Sequence, residues 1–120
     1  HRFKSTRSTM AGGEGEKAIT AEEAKLYDRQ IRVWGMEAQK RMRNSKICIV
    51  RLAGLATEVV KNIVLAGIGE LTVLDSENVS ERDLESNFFL TKSEIGKNRA
   101  ESGAPRIREL NPNVVVNVDT

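Results

Sequence analysis

The chain has 120 residues, 19 of them basic and 17 acidic, with a formal net charge of +2. That near balance lacks the polycationic signature of a nucleic-acid binder, and no apolar run approaches the ~18–20 residues needed to span a bilayer. The length admits one modest domain, and a single cysteine, Cys48, rules out a disulfide framework and fits a reducing compartment.

Residues 1–9 hold the small basic excess (Arg2, Lys4, Arg7) among serines and threonines, a composition superficially like a transit peptide. Met10-Ala-Gly-Gly looks like a natural start, so residues 1–9 read as upstream sequence. Residues 1–18 as a whole are expected to be a disordered leader, being rich in Gly, Ser and charge. The domain then occupies residues 19–120.

Thr20-Ala-Glu-Glu23 has the form of a capping box and opens a helix expected over residues 21–33, with Leu26, Ile31 and part of Tyr27 on one face. Gly35 breaks it, and a short helix follows over residues 36–43. Lys46-Ile-Cys-Ile-Val50 reads as a buried strand, which would make Cys48 a small core residue. A helix over residues 54–66 would bury a stripe of Leu55, Val59, Ile63 and Val64 and end at Gly67 as C-cap. A second strand covers residues 70–75. Residues 76–93 read as a polar loop interrupted by Phe88-Phe89-Leu90.

A last helix over residues 95–110 is weakened by Gly103 and by Pro105, which cannot donate its backbone hydrogen bond and predicts a kink or restart. After the turn Asn111-Pro-Asn, residues 114–118 form a third strand. Strands alternating with helices imply an α/β, three-layer Rossmann-like fold with a mainly parallel sheet and right-handed crossovers. A doubly wound fold has two such halves, so the chain reads as the N-terminal half, a fragment or a truncated product, with a sheet edge open to association.

The segment between the first strand and its helix, Arg51-Leu-Ala-Gly54-Leu-Ala56-Thr57, has the outline of a dinucleotide-type phosphate loop. The intact fingerprint needs three glycines, for the tight turn, the approach of phosphate and close helix–strand packing. Only Gly54 is present, with Arg51 and Ala56 at the outer two positions, and Arg51 puts a bulky side chain where backbone would meet ligand. Asp75 ends the second strand, where a carboxylate often accepts hydrogen bonds from ribose hydroxyls. Equally, Asp75 could cap the following turn with Ser76.

Several stretches resemble the enzymes that activate ubiquitin-like modifiers, the ThiF-like family. They are Tyr27-Asp-Arg-Gln-Ile-Arg-Val-Trp-Gly35, Glu37-Ala-Gln-Lys40, Asn62-Ile-Val-Leu-Ala-Gly-Ile-Gly69, Leu71-Thr-Val-Leu-Asp75, Asn87-Phe-Phe-Leu90, Ile95-Gly-Lys-Asn-Arg-Ala100 and Leu110-Asn-Pro112. Within the family the likeness is strongest to the smaller, regulatory subunits of heterodimeric enzymes of the SUMO type. The resemblance implies a division of labour, in which one half of the adenylation fold binds ATP and magnesium and the other is a pseudo-copy. This sequence would be the pseudo-copy. Its glycine loop is broken at Arg51 and Ala56, Ser86 stands where competent halves have an arginine before Asn87-Phe88, and Arg99 replaces a lysine, Lys97 being out of register. Asp75 alone is retained, as a vestige.

By the same resemblance Arg29 reaches in trans toward ATP phosphates on a large catalytic subunit, where a guanidinium can stabilise charge gathering on the leaving pyrophosphate. The complex would adenylate the C-terminus of the modifier. The chain alone would bind no cofactor and catalyse nothing, and a nuclear location, with the cytoplasm as alternative, goes with the resemblance. Read from the residues alone, Arg29 is an ordinary surface arginine pairing with Asp28 or Glu22. Tyr27 and Trp34 are packing residues or anchors of an interface, and Phe88 and Phe89 admit the same two readings. Lys40-Arg-Met-Arg-Asn-Ser-Lys46 is a solvated basic helix face, or else a nuclear-import or phosphate patch. The only histidine is His1, and no metal-ligand cluster is visible. Three further functional readings stand beside this one: an NAD(P)-binding Rossmann oxidoreductase fragment, a self-sufficient adenylating enzyme of the homodimeric sulfur-carrier type, against which Ser86 and Arg51 count, and an inactive truncated interaction module.

Overall fold

The computed structural model describes residues 17–120. The leader expected over residues 1–18 lies outside them except for its last two residues. Of these, Lys17 is tied to Asn44 by two hydrogen bonds, its amide donating at 2.8 Å and its carbonyl accepting at 3.0 Å.

Three parallel strands, β1 (Lys46–Val50), β2 (Glu70–Leu74) and β3 (Val115–Asp119), lie in the order β1-β2-β3. Their register sets Cys48 beside Thr72 and Thr72 beside Asn117. Helices α4 (Leu55–Ala66) and α6 (Arg99–Leu110) are the two crossovers. Because both crossovers step the same way across the sheet, both helices cover the same face. There Val60, Val64, Ala100, Ala104 and Ile107 close over Leu71, Val73 and Val116, with Ile47, Ile49 and Val118 at the margin.

Cys48, Val50 and Val115 point to the other face and are exposed. Cys48 is therefore not the core residue expected of it: strand alternation puts it on the uncovered side. Burial first, then the negative Asp119, push its thiol pKa up, so it stays protonated.

Helices α1 (Ala21–Leu26), α2 (Asp28–Trp34) and α3 (Met36–Arg43) precede the sheet. The single helix expected over residues 21–33 is broken at Tyr27, which is at once C-cap of α1 and N-cap of α2. The break lets Tyr27 turn inward, where it is 3% exposed and its hydroxyl accepts from Asn111 Nδ2, while Leu26 is left exposed. The capping box forms by half: the Thr20 hydroxyl accepts from the Glu23 amide at 3.1 Å. The Glu23 carboxylate accepts from the Thr20 hydroxyl at 3.3 Å and from Arg43 Nε at 2.7 Å rather than from the Thr20 amide.

The expected stripe of α4 is also rotated. Thr57, Val60 and Val64 are buried, whereas Leu55 and Val59 are exposed. The turn at Gly54 fixes where the helix begins and thus its phase, and Thr57 takes the inward position because its hydroxyl donates back to the Gly54 carbonyl at 2.7 Å. Gly67 ends α4 in the left-handed region, φ 93°. An added Cβ there would sit 2.6 Å from the Tyr27 ring, so both conformation and space require glycine.

Residues 76–93 are not all loop: they contain the one-turn helix α5 (Asp83–Ser86) and begin a 3-10 turn, Lys92–Glu94, boxed by Thr91 and Glu94. The last helix begins at Arg99 rather than residue 95 because Asn98 caps it, accepting from the Glu101 amide at 3.0 Å. It runs through Pro105 without a break, the ring facing solvent. Gly103 lets the helix close on Leu52, whose Cδ2 would stand 2.6 Å from a Cβ at that position.

Candidate functional site

The phosphate-loop region forms at the carboxyl ends of β1 and β2, where ligands of open α/β sheets bind. Its backbone keeps the turn without the glycines. Arg51 itself adopts φ 67°, a left-handed conformation that costs a non-glycine residue about 1–2 kcal/mol. Its side chain lies at the surface, 3.8 Å from Glu77.

One residue on, the Leu52 amide donates to Asp75 Oδ2 at 2.8 Å, and the Leu52 carbonyl accepts from Asn87 Nδ2 at 2.9 Å. In a working cradle an amide here would point at ligand. Here it is turned to the end of β2.

Asp75 is 2% exposed, and both its carboxylate oxygens are engaged. Besides the Leu52 amide, its Oδ2 accepts from Arg99 Nε at 2.6 Å, and its Oδ1 accepts from the Glu77 amide at 3.0 Å. Asp75 therefore caps the turn after β2, as one of its two readings had it, though with Glu77 rather than Ser76. Burial alone would raise its pKa, but the hydrogen bonds from Arg99, Glu77 and Leu52 and the charge of Arg99 hold it below the ordinary carboxylate value.

Arg99, the first residue of α6, is 3% exposed and makes two further ion pairs, to Asp83 at 3.1 Å and Glu77 at 3.3 Å. Asp83 is likewise held low despite its burial, by the Ser80 amide and hydroxyl and by Arg99. Asn98 completes the seal, its Nδ2 donating to the Asp75 carbonyl at 2.8 Å. Arg99 figured in the sequence only as a departure from the family's lysine, and its three partners are invisible in a linear reading.

These residues do not fit a nucleotide. The carboxylate that would meet ribose is spent within the chain, and Arg51 and Ala56 stand where the backbone would need glycine. Among the described residues no group of His, Cys, Asp and Glu is arranged to hold a metal ion.

Arg29 lies at the other end of the domain. Its neighbour Gln30 donates to the Ala66 carbonyl at the C-terminus of α4 at 2.9 Å, whereas the loop adjoins the N-terminus of the same helix. The 12 residues of α4 separate the two by about 18 Å at 1.5 Å per residue. Arg29 is exposed. Neither partner expected for it on the surface takes it up: Asp28 pairs with Arg32 at 3.1 Å, and Arg29 has no ion pair or hydrogen bond to another described side chain.

Of the two aromatic residues expected at an interface, Tyr27 lies inside the domain. Trp34 is 44% exposed, its Nε1 donating to Gln39 Oε1 at 3.1 Å. Gln39, given no role from the sequence, is 0% exposed, and its Nε2 donates to the Ala66 carbonyl at 2.9 Å. The Gln30–Trp34–Gln39 cluster is the mount on which Arg29 stands. Nothing in the linear sequence marks Gln39, because its burial is seen only in the fold. The basic run 40–46 is not a free patch: Arg43 is paired with Glu23, and Lys46 with Glu70 at 3.6 Å. Phe89 is core, whereas Phe88 is half exposed beneath Lys61.

An α/β unit with parallel strands, a glycine-type turn after β1 and a carboxylate closing β2 defines the nucleotide-fold class to which adenylating enzymes belong. The chain belongs to the ThiF family, whose profile matches residues 27–120. It is 50% identical over 105 residues to SUMO-activating enzyme subunit 1 of Xenopus laevis, covering 88% of this chain and 30% of that protein. To the Homo sapiens protein of the same name it is 49% identical over 110 residues, covering 92% and 31%. The DNA damage tolerance protein rad31 of Schizosaccharomyces pombe is 47% identical over 106 residues, covering 88% and 34%. The chain thus spans about a third of the length of these relatives.

Among solved structures, the E. coli tRNA N6-threonylcarbamoyladenosine dehydratase TcdA in complex with AMP superposes with a TM-score of 0.75 at 24% identity, over 85% of this chain and 42% of that one. That likeness establishes the ThiF-type fold.

Proposed function

We propose that this chain acts within a heterodimeric activating enzyme of the SUMO type, as its smaller, regulatory half. In this reading it pairs with a large catalytic subunit that holds ATP and magnesium, and it contributes Arg29 to that subunit's adenylation of the modifier C-terminus. The chain holds no nucleotide of its own. About 50% identity to SUMO-activating enzyme subunit 1 over most of the chain supports the assignment.

One observation carries the mechanism: Arg29 has no ion-pair partner among the described residues and lies at the opposite end of α4 from a cradle that is already filled. An arginine so placed cannot serve its own loop, and it is presented for use by another subunit. The modifier's terminal carboxylate attacks the α-phosphorus of ATP and pyrophosphate leaves. The task left to Arg29 is to balance charge on the departing phosphates, an effect worth roughly 10²–10³ in rate when one such donor is removed. Arg29→Ala in the full heterodimer should slow ATP–pyrophosphate exchange by about that factor while the two subunits still co-elute. Unchanged exchange would remove Arg29 from the mechanism.

A further inference from the structure

We propose that Arg99 is the residue that makes this half of the fold blind to nucleotide: its guanidinium sits against Asp75 in the seat that ribose hydroxyls occupy in nucleotide-binding members of this fold class. The inference deepens the proposed function, on which it rests for the expectation that the cradle stays empty.

The geometry separates two obstacles. One is the loss of glycines at Arg51 and Ala56, which acts on the phosphates. The other acts on the sugar. An ionised carboxylate offers about four lone-pair sites, and Asp75 has given three of them to the Leu52 amide, the Glu77 amide and Arg99 Nε.

A ribose hydroxyl would donate to the same oxygens, but at Oδ2 it would have to displace a charge-assisted bond of 2.6 Å. It would also leave behind a guanidinium that is almost wholly buried and held by Glu77 and Asp83 as well. The arginine is, moreover, tethered, whereas a nucleotide must arrive from solution.

The placement of Arg99 argues the same way. A cation in the first turn of a helix opposes the helix dipole, and a buried charge is unfavourable unless paired. No feature of α6 itself calls for arginine at its first position. The three carboxylates of Asp75, Glu77 and Asp83 do.

Restoring the loop alone should therefore fail to restore binding. The test uses the 120-residue chain with AMP as probe, by titration calorimetry, in three forms: wild type, R51G/A56G, and R51G/A56G/R99A. The first two should show no saturable binding. The third should bind saturably, at least roughly 10-fold more tightly than the upper limit set for the second, the weight of one charge-assisted hydrogen bond. If R51G/A56G binds AMP as well as the triple variant does, or if the triple variant gains nothing over it, Arg99 is not the gate.

Folding is controlled by chemical rescue. Ethylguanidinium should raise the melting temperature of the Arg99→Ala chain, leave wild type unchanged and compete with AMP in the triple variant. Absence of rescue, or equal rescue by ethylammonium, overturns the seat. None of these measurements involves the catalytic subunit. Their failure therefore leaves the role of Arg29 standing, and an inert Arg29→Ala leaves the gate standing.

Discussion

Replacing Gln39 by alanine should both loosen the domain and impair the reach of Arg29. The Gln39 side chain accepts from Gln30 Nε2 at 3.2 Å and from Trp34 Nε1 at 3.1 Å, and donates to the Ala66 carbonyl at 2.9 Å. At about 0.5–1.5 kcal/mol net for each bond, complete loss would cost roughly 1.5–4.5 kcal/mol. Trp34 is half exposed and can turn to water, and Gln30 keeps its own bond to Ala66. The lower half of that range, about 2–3 kcal/mol with the small cavity included, is therefore expected. For a domain of this size each kcal/mol moves the melting temperature by about 4–8 °C, which gives a drop of roughly 8–24 °C by circular dichroism. Gln39→Met, which keeps the volume, should recover only the cavity part.

In the full heterodimer Gln39→Ala should also slow adenylation, since α2 is then held to the end of α4 by Gln30 alone, whereas Arg29→Ala should slow it without changing the melting temperature. A Gln39→Ala chain melting within about 2 °C of wild type, less than half a kcal/mol on this scale, would refute the mount.

Gly67→Ala should destabilise by about 2–4 kcal/mol in urea titration, combining left-handed strain with overpacking. The added methyl meets a Tyr27 ring that Asn111 holds in place. Acid stability should depend on Arg99. Asp75 and Asp83 have folded pKa values below their unfolded ones, so their contribution is complete above about pH 4 and is lost as pH falls through the lower folded values. The urea midpoint of wild type should fall steeply below about pH 4, and that fall should be shallower in Arg99→Met, whose carboxylates titrate nearer their ordinary range.

Strands were the most legible part of the chain. β1 and β2 are short β-branched runs bounded by polar residues and glycine, and their expected and observed limits agree to within a residue. Helix phase was harder to read. On α4 the apolar residues Leu55, Val59, Val60, Ile63, Val64 and Leu65 lie nearly all round, so periodicity could not choose a buried side. The choice was made by the Gly54 turn and by Thr57, a polar residue whose hydroxyl is satisfied locally. Tyr27 was legible as a packing residue but not as a helix break, because the break depends on Asn111, 84 residues away.

At the site, the broken loop could be read directly from Arg51 and Ala56. That the cradle is also filled could not, because Arg99 and Asp75 stand 24 positions apart and each has an ordinary local explanation.

The placing of loop and arginine at opposite ends of one helix has an evolutionary corollary. Under the proposed function, a nucleotide-binding ancestor built this way would have had two separable duties, keeping a ligand of its own and lending a charge to its neighbour. Mutations that ruin the first travel through β1, β2 and the start of α6, and they leave α2 untouched. A duplicated ancestor could thus discard one nucleotide pocket by gradual drift while its helper function stayed under undiminished selection, so lopsided pairs are an easy outcome of this architecture.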